Sequence, residues 1–318
     1  MDTRLKAFQT AGRKAVEFQL THQQPDGSFI WDESIPDAYH KQPYSWSISG
    51  RLPATHRLLD WVRKNALRED GSLYAYRGDV HKMSWFFHGA HRVGRFDLSY
   101  PVMNWLMAQQ KEGGGLPHFA EDDRLRSLPT AWVGVSAIHF GRLDVALRAA
   151  EWCIGLLDQP EEGRFYFQTT LDGSLLTSSM AEDTGFIDLT KTEQPYWEIG
   201  LPWLLMGQLY LATEEERWLE HAGRFFRWQR GCPEDNFAHV SSGASSLAAT
   251  IHFRNTGDVR ARDAAIAFCE FLLATQHPDG GWRSEGEPDE PITYIDHAAE
   301  YNVWLQEIAG LLGAMSDG

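Results

Sequence analysis

A short phrase that returns along the chain constrains its fold more than any other feature. Segment 276–282 reads QHPDGGW and repeats the pattern of segment 23–29, which reads QQPDGSF. Weaker copies are REDGSLY at 68–74 and QQKEGGG at 109–115. A phrase that recurs in this way indicates a structural repeat, in which each unit adds its own layer of core.

The spacing of these turns is regular. Asp26 and Asp70 are 44 residues apart, as are Asp70 and Gly114, and also Asp235 and Asp279. Between the turns, apolar residues recur at helical spacing in about twelve segments. Short helices rich in small and aromatic residues alternate with ordinary amphipathic helices. This alternation predicts an all-α fold, an (α/α)6 barrel or toroid of six helical hairpins with inner and outer helix rings.

Domain organisation follows from the same series. A length of 318 residues exceeds the usual size of one domain, but a repeat architecture grows by adding units. No linker rich in Pro, Gly or Ser interrupts the helices, so the pattern predicts a single domain over residues 1–318. Residues 164–191 break the rhythm, because they are polar and hold strand-like fragments such as 165–170. We interpret them as an insertion that covers one face.

The composition argues against several classes of function. A net charge of −15 without a Lys/Arg cluster disfavours nucleic-acid binding. The three cysteines are far apart and lack metal-site spacing, which disfavours a disulfide scaffold or a structural zinc. No segment approaches the ~20 apolar residues of a membrane span, and the first residues lack a signal region, so we expect a cytoplasmic protein. No nucleotide-binding motif is present, and we expect neither a cofactor nor a metal.

The two best copies of the phrase resemble the Q-x-x-D-G-x-W repeats of the squalene–hopene cyclase and protein prenyltransferase superfamily. Members of that superfamily are α/α toroids, so the resemblance implies this fold. The reaction motifs differ, since the D-x-D-D acid motif is absent and the nearest acidic run is 121–123. The D-D-x-x-D pattern fails at Arg126, and no Asp-x-Cys pair accompanies His297 as a zinc site would require. The resemblance therefore implies the fold more strongly than the reaction.

The same helical rhythm also resembles α/α-barrel enzymes that act on carbohydrates. These include unsaturated glucuronyl hydrolases, sugar 2-epimerases and some polysaccharide lyases. The sequence LYLAT at 209–213 is common to such barrels generally. It does not choose between the two branches.

In this fold the turns join each outer helix to the next inner helix, so the inner-helix N-termini gather at one mouth. Helix N-termini favour anions, and polar residues of the first turns face the cavity. The densest polar group is Asp296, His297 and Glu300 on the last inner helix. His297, Glu300, Tyr301 and Trp304 stand at i, i+3, i+4 and i+7, which predicts that one face carries all four.

A carboxylate and an imidazole in a partly dry cavity commonly move protons near neutral pH. We therefore predict catalytic roles for Asp296, His297 and Glu300. The alternative is structural, with Asp296 as a helix cap and Glu300 in an ion pair with an arginine.

Three further groups open inner helices. Asp79, His81 and Lys82 form a second predicted catalytic group, although Asp79 also suits an N-cap. Glu193 is a further candidate for acid–base chemistry, with a capping box from Thr190 as its alternative. Asp37, His40 and Lys41 are of similar type and open the first inner helix. The aromatic residues predicted to bind the substrate are Tyr44, Trp85, Trp132, Tyr196, Trp197, Tyr301 and Trp304.

Aromatic rings that face a cavity suit sugar stacking, cation stabilisation or an apolar skeleton, and some simply fill space. Together these features predict a cofactor-independent lyase, isomerase or cyclase. It would use acid–base chemistry on a small or medium apolar metabolite, terpenoid- or polyketide-like, as in secondary metabolism. The alternative is a carbohydrate-active enzyme, namely a uronyl hydrolase, a lyase or a sugar epimerase. A third interpretation is a non-catalytic toroid that binds a partner through its cavity.

Overall fold

The computed structural model describes residues 2–29, 39–76, 78–283 and 291–316. The chain forms two compact units, one of residues 1–105 with 269–318 and one of residues 106–268. The boundaries between the units fall inside two helices, α5 (Phe96–Gln109) and α11 (Val259–Thr275). The interpretation of the whole chain as one domain stays a prediction.

Twelve α-helices occur in the described residues, as the repeat predicted. The first unit holds α1 (Thr3–Leu20), α2 (Gln42–Ile48), α3 (Leu52–Asn65), α4 (Val80–Arg92) and α12 (Pro291–Ser316). The second holds α6 (Ser127–Phe140), α7 (Leu143–Gly155), α8 (Trp197–Thr213), α9 (Glu216–Gly231) and α10 (Gly243–Thr256). None of the helices in these ranges combines the length and apolar character needed to cross a bilayer.

The alternation of helix types is clear in the second unit. Helices α6, α8 and α10 bury a continuous run of their residues and are therefore covered on all sides. Helices α7 and α9 are amphipathic and bury one face, with charged residues on the other. Each fully buried helix packs against a neighbouring amphipathic one.

Four short strands accompany the helices of the second unit. β1 (Arg124–Arg126) pairs antiparallel with β3 (Gln168–Thr170), and β2 (Arg164–Tyr166) pairs antiparallel with β4 (Phe186–Asp188). Three of these strands lie in the polar segment 164–191 that interrupts the helical rhythm. The strand-like fragments expected within that segment are therefore present as β2 and β3.

The repeated turns are built alike. The side-chain amide of Gln276 donates to the carbonyl of Gly280 in its own turn (3.0 Å) and to Ala11 of α1 (2.9 Å). Gln23 bonds Gly27 and Ala54 of α3 in the same way, and Gln110 bonds Gly114 and Val145 of α7. Each of these three turns is therefore fastened to an amphipathic helix from a different hairpin.

Glycine is required in these turns for two reasons. Gly114 has φ +93°, and a Cβ atom there would lie 2.1 Å from the carbonyl oxygen of Arg148. Gly27 and Gly280 repeat both features, with φ of +99° and +100° and carbonyl groups similarly close. Only glycine tolerates both the left-handed backbone and the close approach of another helix.

Close packing in the first unit brings α2, α4 and α12 together. Gly89 of α4 lies against Pro43 of α2, where a Cβ atom would be 2.4 Å from the proline ring. Asn302 of α12 is buried and donates to the carbonyl of Ser45 in α2 at 2.9 Å. These contacts join the first turn of α2 to the C-terminal half of α4 and to the middle of α12.

Candidate active site

A lysine lies at the centre of the polar cluster in the first unit. Lys41 Nζ is 2.6 Å from Asp296 Oδ2 and 2.6 Å from Glu300 Oε2. The Lys41 side chain is only 7% exposed, whereas the two carboxylate side chains are 18% and 22% exposed. We call Lys41, Asp296 and Glu300 the charged triad. His40 Nε2 lies 3.5 Å from the other oxygen of Asp296.

The local sequence explains this placement. Lys41 precedes α2, whose first turn contains Pro43. Proline has no backbone N–H, so α2 cannot extend toward the N-terminus without lacking one hydrogen-bond donor. Asp296 and Glu300 are four residues apart on α12, so their side chains lie one above the other. A lysine side chain is almost never buried without an ion-pair partner, and here two carboxylates pair with it.

The pKa values follow from this geometry. Burial opposes the charge on Lys41, but Asp296 and Glu300 outweigh it and raise the Lys41 pKa above its ordinary value. Burial would raise the pKa of Glu300, but Lys41, the Trp304 N–H and nearby His297 together lower it. Glu300 is therefore ionised near neutral pH, and Lys41 keeps its charge.

Aromatic rings line one side of the charged triad. Trp304 Nε1 donates to Glu300 Oε1 at 3.1 Å, and its ring meets Trp85 edge-to-face at 5.4 Å between centroids. Lys41 Nζ lies 5.8 Å from the centroid of Trp85, within range of a cation–π contact. Tyr44 approaches Trp85 at 6.0 Å. Trp85, Trp304 and Tyr44 thus form an aromatic layer next to the charged groups.

A second polar cluster lies beyond this layer. The Tyr44 hydroxyl donates to Glu307 Oε1 at 3.0 Å, and Arg92 Nη2 lies 3.6 Å from the same oxygen. The Tyr44 ring stacks on His88 at 5.6 Å. Burial and the charge of Glu307 raise the pKa of Tyr44 well above its ordinary value. Tyr44 therefore stays a neutral hydrogen-bond donor.

His297, Glu300, Tyr301 and Trp304 make two different sets of contacts, and their expected place on one face of α12 stays a prediction. Glu300 and Trp304 contact each other beside Lys41 and Trp85, whereas His297 stacks on Tyr301 at 5.6 Å. Tyr301 is buried and meets Trp282 of the repeated phrase edge-to-face. Tyr301 is thus part of the packing under the turn.

The predicted group on α4 has a mixed outcome. Asp79 is the N-cap of α4 and accepts from the Lys82 backbone N–H at 2.9 Å, which is its structural alternative. His81 Nε2 accepts the indole N–H of Trp85 at 3.0 Å, so a neutral His81 carries its proton on Nδ1. Lys82 is half-buried at the same helix end. His81 therefore touches the aromatic layer, and Asp79 serves the helix.

Four predicted site residues belong to the second unit. Glu193 is exposed and has φ +59°. Its backbone N–H donates to Asp235 and that of Thr190 donates to Asp188, so the capping-box alternative is wrong. Tyr196 is buried and donates to Asp235 at 2.5 Å. Trp132 is buried in α6, and Trp197 donates to Glu198 at 3.2 Å. The site roles of these four residues stay predictions.

Lys41 is the residue that sequence reasoning undervalues. The sequence groups it with Asp37 and His40 but does not mark it as catalytic, and Asp37 lies outside the described residues. One feature of the sequence could have indicated a role for Lys41: it stands immediately before a short helix whose residues are almost all apolar or small. Within the described ranges, no group of three or more His, Cys, Asp or Glu side chains is placed to hold a metal ion.

Comparison with protein-family models and with curated proteins gives no match. Solved structures do match. The α-1,6-mannanase GH76A from Salegentibacter sp. HEL1_6 is 14% identical, with a TM-score of 0.64 over 96% of this chain and 99% of that one. A D-mannose isomerase is 13% identical, with a TM-score of 0.67 over 95% and 97%.

Both branches anticipated from the sequence are present among the matches. An unsaturated glucuronyl hydrolase specific for heparin is 13% identical, with a TM-score of 0.62 over 99% of this chain and 98% of that one. A variant of the type II terpene cyclase MstE from Scytonema is 14% identical, with a TM-score of 0.62 over 97% and 99%. All four are enzymes of α/α toroid fold, and such low identities show the fold alone. The chain is therefore an all-α toroid, as the repeat predicted.

Proposed function

We propose that the protein is an enzyme that moves a proton at a carbon atom of a small or medium-sized substrate, as an isomerase or a lyase. One observation carries this proposal. Lys41 joins Asp296 and Glu300 at hydrogen-bond distance beside the rings of Trp85 and Trp304. Charged groups of opposite sign beside an aromatic layer suit the removal of a proton from carbon.

Glu300 is the proposed general base. The influence of Lys41 keeps its pKa low, so the carboxylate is ionised and can accept a proton. The same feature argues against Glu300 as a strong acid that protonates an alkene or a glycosidic oxygen. Lys41 and Trp304 occupy one acceptor site on each oxygen, which leaves further lone pairs for a substrate proton.

Lys41 is the proposed electrophile. An ammonium group has three N–H donors, and two of them point to Asp296 and Glu300. No other described residue accepts a hydrogen bond from Lys41 Nζ. The third N–H is thus available to a substrate oxygen that gains negative charge when the neighbouring carbon loses its proton. The proposed substrate therefore carries a carbonyl group next to an acidic C–H bond.

His297 is the proposed proton donor for the second half of the reaction. It stands three residues before Glu300 on α12 and is one of the groups that lower the Glu300 pKa. An isomerase would return the proton to a different carbon, and a lyase would pass it to a leaving group. The rings of Trp85, Trp304 and Tyr44 would hold an apolar body such as a terpenoid- or polyketide-like skeleton.

A sugar isomerase or epimerase is the second candidate. Sugars with a carbonyl group have the same acidic C–H bond, and indole faces such as those of Trp85 and Trp304 stack on sugar rings. A glycoside hydrolase is less well supported. That reaction needs two carboxyl groups that flank the bond, one of them protonated, whereas Asp296 and Glu300 share one ammonium group.

Exchange with heavy water tests proton removal even while the product is unidentified. The protein is incubated in D2O with two panels, one of carbonyl-bearing terpenoids and polyketides and one of free aldoses and ketoses. Mass spectrometry then detects deuterium that enters a C–H position. We expect incorporation in one panel, at a rate that falls in Glu300→Gln and stays unchanged in Glu17→Gln, a surface carboxylate on α1.

The outcomes separate the candidate functions. Incorporation into a terpenoid or polyketide supports the first candidate, and incorporation into a sugar supports the second. Hydrolysis of a glycoside without deuterium at carbon would overturn the proposed proton transfer. The absence of any turnover or exchange across both panels would favour the non-catalytic interpretation.

A further inference from the structure

A second ionic group lies in the other unit and plays no part in the proposed reaction. Glu198, in the first turn of α8, has no exposed surface. Its carboxylate accepts a hydrogen bond from Arg126 Nε at 2.7 Å, and Arg126 Nη2 forms an ion pair with the same oxygen at 2.5 Å. The Ser127 hydroxyl, the Leu128 N–H at 3.2 Å and the Trp197 indole N–H at 3.2 Å complete its partners.

A carboxylate with this many donors has little capacity for a ligand. Its acceptor sites are filled, and it is sealed from water. Its effect is to fix Arg126, because two nitrogen atoms of the guanidinium, Nε and Nη2, lie against one carboxylate oxygen. Fixing both partners of a charged pair in this way preorganises the part of the arginine that remains unbonded.

The rest of Arg126 is also held in place. Its backbone N–H donates to Leu116 at 3.0 Å, and its strand β1 pairs with β3. The guanidinium lies over the buried ring of Phe167, 5.3 Å from its centroid. An arginine side chain normally keeps much rotamer freedom, and these contacts remove most of it before any ligand arrives.

One edge of the guanidinium remains available. Arginine has five N–H donors, one on Nε and two on each Nη nitrogen. Glu198 faces the one on Nε and one of the two on Nη2, which leaves the edge formed by Nη1 and the outer N–H of Nη2. No residue in the described ranges accepts a hydrogen bond from Nη1, and the side chain is 26% exposed. The half-buried indole of Trp197 lies beside it, since both groups donate to Glu198 Oε1. A fixed cation therefore faces solvent next to an aromatic ring.

We propose that Arg126 and Trp197 form a binding site for a carboxylate attached to a flat or apolar body. A carboxylate matches the planar guanidinium edge with two parallel hydrogen bonds. The apolar body would pack on the indole of Trp197. This inference does not rest on the proposed proton transfer, because Lys41, Asp296 and Glu300 take no part in it.

The test compares two probes of the same shape and different charge. Benzoate and benzamide are titrated into the full-length protein by calorimetry, with ligand-observed NMR for weak binding. We expect benzoate to bind at least about tenfold more tightly than benzamide, because only benzoate gains charged hydrogen bonds. Equal affinity of the two probes, or no binding of benzoate, would overturn the proposal.

Variants locate the binding. Arg126→Lys keeps a cation beside Glu198 but lacks the planar fork, so benzoate affinity should fall about tenfold or more. The double variant Arg126→Gln/Glu198→Gln removes both charges together, which avoids an unpaired buried carboxylate if the single variant fails to fold. It should abolish the preference for benzoate.

Arg124→Gln is the matched control. Arg124 stands two residues away on the same strand and forms an exposed ion pair with Asp183. This variant removes one positive charge from the same strand and should leave benzoate affinity within about twofold, as expected for a screened surface charge. A loss equal to that of Arg126→Lys would show that general surface charge, not this site, attracts the anion.

Discussion

The ammonium nitrogen of Lys41 lies 2.6 Å from Glu300 Oε2, although 259 residues separate the two in sequence. Asp296 contacts the same nitrogen from one helical turn away. A largely buried lysine held by two carboxylates is costly to desolvate, and its contribution depends on complete pairing. The relationship therefore makes predictions about stability as well as about catalysis.

Lys41→Met should destabilise the fold. It removes the cation and leaves Asp296 and Glu300 close together without a counter-charge. We expect a loss of about 3 kcal/mol in the free energy of unfolding, at the lower end for a broken buried pair because the carboxylates keep some contact with water. Urea denaturation at neutral pH measures this loss.

Two further variants check the cause of that loss. Arg51→Met removes an exposed cation paired with Glu17 and should cost no more than about 1 kcal/mol. Adding Glu300→Gln to Lys41→Met should recover part of the stability, because one of the two unpaired charges disappears. If the double variant is less stable than the sum of the two single changes predicts, like-charge repulsion is not the cause.

The stability contributed by Glu300 should depend on pH in a defined direction. Its pKa in the folded protein lies below its ordinary value of 4.5, so the folded state favours the ionised form. Its contribution is therefore complete above about pH 4.5 and is lost as the pH falls through the folded pKa. We expect the difference in unfolding free energy between the wild type and Glu300→Gln to shrink below that pH.

Lys41 determines the pH dependence of stability on the alkaline side. Its raised pKa means that its contribution is complete below its ordinary value of 10.5 and is lost only as the pH rises through the folded pKa. A Glu300→Gln difference that stays constant or grows as the pH falls from 5 to 3, read by urea denaturation at each of those pH values, would contradict the assigned pKa direction.

The fold was predictable because its decisive contacts are encoded locally. All four turns contain a glycine with positive φ, and in three of them a glutamine donates to the carbonyl of that glycine. Three turns, including the two best copies, also contain an aspartate that accepts from the N–H two residues later. Asp26 and Asp279 accept in this way at 3.0 Å and 2.9 Å. Such short-range chemistry is visible as letters in a sequence, and its regular return fixes the helical hairpins.

Gly114→Ala tests this account of the turns. The added methyl group would meet the carbonyl of Arg148, and the residue would have to adopt a left-handed backbone. We expect a loss of about 2–4 kcal/mol in unfolding free energy, from strain and steric overlap together. Gly113→Ala is the matched control, since a Cβ atom there meets nothing within 4 Å. Thermal or urea unfolding that ranks the two variants equally would contradict the requirement for glycine at position 114.

The candidate site was only partly predictable. Asp296 and Glu300 are conspicuous because they are polar groups in the first turns of an otherwise apolar helix. Their partner Lys41 is not, since the contact joins distant segments and depends on how α2 and α12 are rotated. Spacing alone also could not predict that Glu300 and His297 have different neighbours. Positions i, i+3, i+4 and i+7 cover two adjacent stripes of a helix, and tertiary packing decides which residues each stripe contacts.

Trp304→Phe tests how Glu300 is held. The substitution keeps an aromatic ring but removes the indole N–H that donates to Glu300 Oε1. The pKa of Glu300 should rise, so the acidic limb of the rate–pH profile should move to higher pH. Trp85→Phe removes an N–H that donates to His81 instead and should leave that limb in place. An unchanged acidic limb in Trp304→Phe would show that the hydrogen bond does not tune the base.

The most direct test of the central claim is the rate of deuterium incorporation from D2O into the accepted substrate, compared between the wild type and Glu300→Gln. If Glu300 removes the proton, the rate should fall by about 10²–10⁴-fold in Glu300→Gln, the usual contribution of a general base. Glu17→Gln should retain the wild-type rate, and the circular dichroism of both variants should match the wild type. An undiminished rate in a folded Glu300→Gln variant would contradict the proposed mechanism.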